Sequence, residues 1–439
     1  MTISENFIAN YSVVKSKDLD SQTIEAGKNL FIDSLGNIIA SLRTGGNKVL
    51  NQNLAKSLNG NNNMTPLYLG MLIHSLDFDD THYGALIHTG AITVPAALHA
   101  SFDKKIEGQD FIRALILGVD FAVQLASVEK HLFHKKGFHA TSIVGVFSSA
   151  FVYGYLNKYS NSSLVNALGI AGSFCSGNLS FLENGDNTKI VHPGWASFSG
   201  CEASKLVHFG ITGSSSIFEG QNGIYNLYSD ISVDSNFFNL NKDIGEINNV
   251  SFKPYPICQL SISTIRLASE VVKNLKISDI EKMIVYLPKD SYEIVAKNKL
   301  VKSKPRTSYE AKFSLYWSLA SFMINEELTV DSFSEKRLND KKIRKLIDKI
   351  DVIKFDHKET AATIGGKIEI LFKSGEKQIF EEQNPSNSIL NSELILNKFL
   401  KNANLSHDDE LIKELLKIDE SDDVGKIIRK ILNEQIKKY

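Results

Sequence analysis

The chain has 439 residues, with 49 Lys and Arg against 50 Asp and Glu for a formal net charge of −1. That length exceeds one comfortable core, so two domains are expected. The even charge balance argues against a polyanionic partner such as nucleic acid. Cys175, Cys201 and Cys258 are far apart and odd in number. They provide neither a disulfide framework nor a Cys-x-x-Cys metal pair, and predict a reducing compartment. The opening MTISENFIANY lacks the basic and apolar stretches of a signal peptide. No uncharged apolar run reaches the roughly 18 residues that span a bilayer. A cytoplasmic protein with no membrane partner is expected.

From about residue 20 to 240 the pattern is helical. TIEAGKNLFIDSLGNIIASL repeats apolar residues three and four apart, the stripe of an amphipathic helix. TSIVGVFSSAFVYGYLN and SLVNALGIAGSFCSG are apolar nearly all round and rich in Gly, Ala and Ser, which predicts central, closely packed helices. GIAGSFCSG lacks the spacing of a phosphate-binding loop, so its glycines are read as packing residues. Two prolines in SFKPYPICQ interrupt the helical pattern. Beyond them KMIVYLP reads as a strand, KKIRKLIDKI as an amphipathic helix, and GGKIEILFKSGEKQIF as a hairpin about a Ser-Gly turn. After NPSNSILN, helical sequence returns to the end. The expected fold is mainly α with an inserted α+β domain. Residues 1–250 and 384–439 would form the helical domain, and 251–383 the insert.

Titratable groups concentrate in HSLDFDDTHYGALIH, His74 to His88, beside an apolar run. A solvated helix end, a metal site and an acid/base site all fit that composition. If HSLDFDDT is helical, His74, Asp77 and Thr81 share one face, Asp80 lies at its edge and Asp79 points to solvent. Gly84 would then end the helix and let His88 fold back, leaving His82 a bystander. Three further clusters stand out. His139 precedes a helix start that Thr141 or Ser142 would cap. Lys189 and His192 precede a Pro-Gly turn. Lys253 sits at the predicted domain junction, where small-ligand clefts form. His131, His134 and His208 read as structural, His99 as core-edge, and Lys135 and Lys136 as solvated. Asp77, Asp80 and His88 have the chemistry of metal ligands, but no His-Glu-x-x-His spacing supports a metal. A Gly-x-Ser-x-Gly elbow is absent as well. Composition and spacing stop at a helical, enzyme-like protein with a polar cleft.

In order, DFDDTH with HTGA, GFHATS, ALGIAGSFCSGN, TKIVHPGWAS, KPYPIC and EAKFSL resemble the MmgE/PrpD family over most of the chain. The resemblance implies a large helical domain from N- and C-terminal segments, a smaller α/β lid domain, and a homodimer. It implies cofactor-independent chemistry on a small polycarboxylate, foremost a 2-methylcitrate dehydratase-like elimination. Decarboxylation of the cis-aconitate type, epimerisation, or a non-catalytic role are its alternatives. Carried over by motif, the implied catalytic residues are Asp77, His88, His139 and Lys189. The implied substrate-binding residues are Thr81, Lys253, Tyr316 and His192, and no metal is implied. Gln259 and Ile262 stand where the family often has Arg and His, and Trp317 where it has Tyr, with Tyr316 one place early. Lys189 and Lys253 suit substrate carboxylates, and Thr81 would donate to one. His139 and His88 suit proton transfer near neutral pH. Asp77 would orient a histidine or be raised in pKa by Asp80.

Overall fold

The computed structural model describes the chain apart from residues 15–18, 45–47, 60–62, 185, 234–243, 362–363, 383–390, 408 and 439. The return from lid to helical domain expected near residue 384 therefore lies outside the described residues.

The fold is mainly helical, as the pattern predicts. Asp20 accepts the backbone N–H of Thr23 at 2.7 Å and starts the long helix Ser21–Arg43, whose apolar stripe is buried. The apolar helix Ala140–Leu156 packs against Val191–Leu206 at the centre of the domain. Small residues permit that contact: a Cβ added at Gly200 would lie 2.4 Å from the Val146 carbonyl oxygen. A Cβ at Gly70 would lie 2.6 Å from the Gly194 Cα. Helix Thr65–His74 thus meets Val191–Leu206 backbone to backbone, and His74, at the end of one, and His192, at the start of the other, both lie against the His139 ring. Gly169, within GIAGSFCSG, makes a similar approach to Gly213, in keeping with packing.

The loop after His74 departs from the expected helix. The helix ends at His74, residues 75–80 form turns and bends, and Asp77 has φ +52°. Aspartate tolerates that left-handed conformation better than most residues. Asp80 instead caps the next helix, Gly90–Asp103, by accepting from the backbone N–H groups of Thr89 and Gly90 and from the Thr89 hydroxyl at 2.7–2.8 Å. Thr81 and His82 form a short strand, β1, antiparallel to β2, Val250–Ser251, with Thr81 opposite Ser251. Helical spacing therefore does not apply here, and Gly84 lies in the following turn, where Leu86 takes the positive φ.

The lid carries a four-stranded sheet in the order β4-β3-β5-β6. Its strands are β3 (Ile280–Pro288), β4 (Ile350–Phe355), β5 (Lys367–Phe372) and β6 (Lys377–Glu381). β3 pairs parallel with β4 and antiparallel with β5, and β5–β6 is a hairpin whose turn holds Gly375 at φ +87°. The helix read over KKIRKLIDKI spans Lys341–Ile347, and the last residue of that stretch, Ile350, opens β4. One apolar core joins residues between Ile3 and Phe252 with residues between Ile395 and Leu432, and a second lies between Ile257 and Ile370. The helix Ser392–Ala403 lies on Ser21–Arg43, where buried Lys398 pairs with Asp33 at 2.6 Å and donates to the Phe78 carbonyl at 2.6 Å. A C-terminal side chain so braces the Asp77–Asp80 loop. No helix among the described residues is long and apolar enough to cross a membrane.

Candidate active site

Four chain segments converge at the junction of the two cores. The Asp77 Oδ1 accepts from Lys189 Nζ at 2.9 Å and lies 3.2 Å from Lys253 Nζ, which also donates to the Asp77 carbonyl at 3.0 Å. Lys253 follows β2 by two residues, so the β1–β2 pairing carries it to the Asp77 loop. Burial by itself would raise the Asp77 carboxyl, but the two ammonium groups overrule it and hold Asp77 well below the usual carboxylate range. The expectation that Asp80 raises Asp77 is corrected here. Asp80 is the raised group, pushed up to about 7 by burial and then by the Asp79 charge.

His74, His88 and His139 pack together beside this ion cluster, with ring centroids 4.5, 5.9 and 6.1 Å apart. His88 Nδ1 lies 2.8 Å from the Asp80 carbonyl. A carbonyl only accepts, so Nδ1 carries the proton and Nε2 presents a lone pair. Thr81 Oγ1 is 3.4 Å from the same Nδ1, and the Thr141 hydroxyl accepts the His88 backbone N–H at 3.2 Å. That contact occupies Thr141, and neither it nor Ser142 caps the helix after His139. His74 Nδ1 lies 2.7 Å from Asp79 Oδ2, while its buried Nε2 has no hydrogen-bond partner. Asp79, expected at the solvent, is fully buried because it is the counter-group of His74. It stays ionised as the acceptor of that bond and orients the ring, as carboxylates orient histidines elsewhere. His139 and His192 face each other through their Nδ1 atoms at 3.2 Å, so one donates and the other accepts.

Burial lowers the pKa of all four of these histidines, His192 to about 4. The folded site therefore holds neutral imidazoles at pH 7. An unfolded chain takes up protons below about pH 6.5, whereas these buried rings resist protonation. Their contribution to stability is complete above pH 6.5 and is lost as pH falls towards 4. Asp80 acts oppositely, favouring the folded state as pH falls from 7, but it is one group against four. The urea midpoint should drop between pH 6.5 and 4.5. A flat or rising midpoint there would mean the folded site carries charged imidazoles.

A cavity of about 780 Å³ opens next to the cluster, lined by the cluster's chain neighbours and not by its own side chains. Its wall includes Ser75 and Leu76, just before Asp77, and Ile190, just after Lys189. Lys189 also lies over the Phe313 ring, 5.5 Å from its centroid, which ties the lid to the helical wall. The structure thus gathers Asp77, Thr81, His88, His139, Lys189, His192 and Lys253. It does not bring Tyr316 to them: that hydroxyl donates to the Ala296 carbonyl at 3.3 Å inside the lid. His74 and Asp79 are the residues that spacing missed, because a five-residue separation across a turn has no periodic signature. The His74, His88 and His139 nitrogens lie within 4.8 Å of one another and form a set that could hold a metal ion.

Residues 6–234 match the MmgE/PrpD N-terminal domain, and residues 255–421 match the MmgE/PrpD C-terminal domain. The chain belongs to the MmgE/PrpD family. It is similar to the cis-aconitate decarboxylase of Mus musculus, 25% identical over 471 residues that cover 98% of this chain and 93% of that protein. The Homo sapiens cis-aconitate decarboxylase is 24% identical over 382 residues, 80% of this chain and 76% of that protein. The Aspergillus terreus cis-aconitate decarboxylase is 28% identical over 157 residues, 34% of this chain and 32% of that protein. The three positions that the resemblance marked as departures, Gln259, Ile262 and Trp317, lie on the lid. Gln259 donates to the Tyr83 hydroxyl at 2.6 Å, and Ile262 and Trp317 are buried in the lid core.

Proposed function

We propose that this MmgE/PrpD protein is a lyase on a small di- or tricarboxylic acid, working by acid/base chemistry without a cofactor, and that decarboxylation of a cis-aconitate-like substrate is its reaction. The observation that carries the reading is the pairing of a buried and a partly buried ammonium group, Lys253 and Lys189, at Asp77 with three neutral imidazoles alongside. The lysines attract the substrate's carboxylates, and the Lys189 ammonium, on a side chain 12% exposed, is the more accessible of the two. The anionic substrate raises the pKa of the neighbouring imidazoles, so that one takes up a proton. The carbon–carbon bond to the departing carboxylate then breaks and carbon dioxide leaves. Its electron pair spreads towards a retained carboxylate held by the lysines, and the carbon takes its proton from the imidazolium. The family relatives named cis-aconitate decarboxylase favour this reaction over others at the same site.

A second reading, dehydration of a 2-methylcitrate-like acid, draws on the two bare Nε2 atoms of His74 and His88. Elimination needs both a base at carbon and an acid at the leaving hydroxyl. A panel of cis-aconitate, citrate and 2-methylcitrate separates the two. Release of carbon dioxide from cis-aconitate supports decarboxylation, and a new ultraviolet-absorbing double bond from a hydroxy acid supports dehydration. Turnover should be unchanged after exhaustive chelation. Loss that a divalent ion restores would instead make His74, His88 and His139 metal ligands.

A further inference from the structure

The lid faces the cavity with two polar tips that the protein leaves without partners. Tyr309 and Lys312 stand three residues apart on the helix Ser308–Lys312, so they lie on one face of it, and both line the cavity beside Asp77. The Tyr309 hydroxyl is buried with no hydrogen-bond partner. Lys312 is only 3% exposed, and its ammonium feels the Asp77 and Asp79 charges but makes no hydrogen bond or ion pair with a carboxylate among the described residues. The other buried lysines at this junction, Lys253 and Lys398, each have a carboxylate. Of the cavity's own carboxylates, Asp186, Asp331 and Glu335 are exposed, and Glu310 is taken by Arg306 at 2.8 Å. The buried end of the cavity is therefore cationic and rich in donors. Buried donors normally have acceptors, so two without them at the wall of a cavity point to an anionic ligand.

We propose that the Tyr309 hydroxyl and the Lys312 ammonium form a lid-borne carboxylate subsite, which holds a substrate carboxylate that does not react. This rests on the reading of the protein as an enzyme of polycarboxylates. Burial lowers Lys312 to about 8, so at neutral pH it remains mostly charged, and a bound carboxylate would strengthen that charge. The subsite supplies a hydroxyl and a cation from the lid, where Gln259 is held by Tyr83 and Ile262 and Trp317 are buried in the apolar core.

The test combines calorimetric titration with tricarballylate, a saturated tricarboxylate, and steady-state kinetics on cis-aconitate. Lys312→Met and Tyr309→Phe should each weaken tricarballylate and raise KM, by about 10- to 100-fold for the lysine, with kcat within a few fold of wild type. A merely structural role would lower kcat or melting temperature without that split. Lys312→Met retains most of the side-chain volume and removes a buried charge. If it nevertheless fails to fold, Tyr309→Phe, which loses one oxygen, carries the same measurement. Variants that bind and turn over like a competent wild type overturn the subsite alone. A wild type that neither binds tricarballylate nor consumes any acid of the panel overturns the polycarboxylate reading, and the subsite with it.

Discussion

Replacing His139 with alanine should lower kcat on the accepted acid by about 10²- to 10⁴-fold, the range of one positioned acid/base group. His139 is buried, faces His192 at 3.2 Å and packs beside His74 and His88. Its backbone, not its side chain, begins the helix Ala140–Leu156: the His139 N–H donates to the Gly177 carbonyl at 2.9 Å, and its carbonyl accepts from Ser142. Those bonds survive truncation, so the variant should still unfold cooperatively, with losses limited to the cavity it leaves. Turnover at the wild-type rate by purified His139→Ala would remove this ring from the chemistry. Comparison with His74→Ala would then show whether the Asp79-backed imidazole carries the proton instead.

Asp77→Asn should have the largest effect on stability, about 3–5 kcal/mol, because it leaves buried cations without their counter-charge. Both lysines converge on Asp77 Oδ1, and Lys253 is almost wholly enclosed, its side chain 1% exposed. Burial would lower the Lys253 ammonium, yet the Asp77 and Asp79 charges raise it overall. Asparagine adopts positive φ as readily as aspartate, so the substitution keeps the loop at φ +52° and removes only the charge. Adding Lys253→Met to the same chain should recover part of the loss, since the stranded cation is then gone. Urea unfolding of the two single variants and the double variant measures the coupling. Singles that sum to the double within about 0.5 kcal/mol would mean that the pair is not energetically coupled.

Much of the fold was legible because it rests on local periodicity. The apolar stripe of Ser21–Arg43, the all-round apolar helix Ala140–Leu156 and the alternation of the β5–β6 hairpin each carry their own signature in consecutive residues. The site was legible in its parts, as motifs at Asp77, His88, His139, Lys189 and Lys253. It was illegible where the chain turned. HSLDFDDT read as a helix sends Asp79 to solvent, whereas Asp80 caps a helix start ten residues on and Asp79 folds inward onto His74. Tyr316 sat in the right motif, yet its hydroxyl is held within the lid.

By itself the sequence determined that the protein is mainly helical with a smaller α/β part, and which residue types its candidate site gathers. Only the tertiary structure decided that His74 and Asp79 belong with them, that Asp80 and not Asp77 is the raised carboxyl, and that Tyr309 and Lys312 face the cavity. The reason is physical. Helix and strand patterns follow from neighbours three, four or two residues apart. A charge's ionisation and a donor's partner depend on burial and on groups that may be a hundred residues distant. Here the Gly70–Gly194 contact and the β1–β2 pairing bring those groups together.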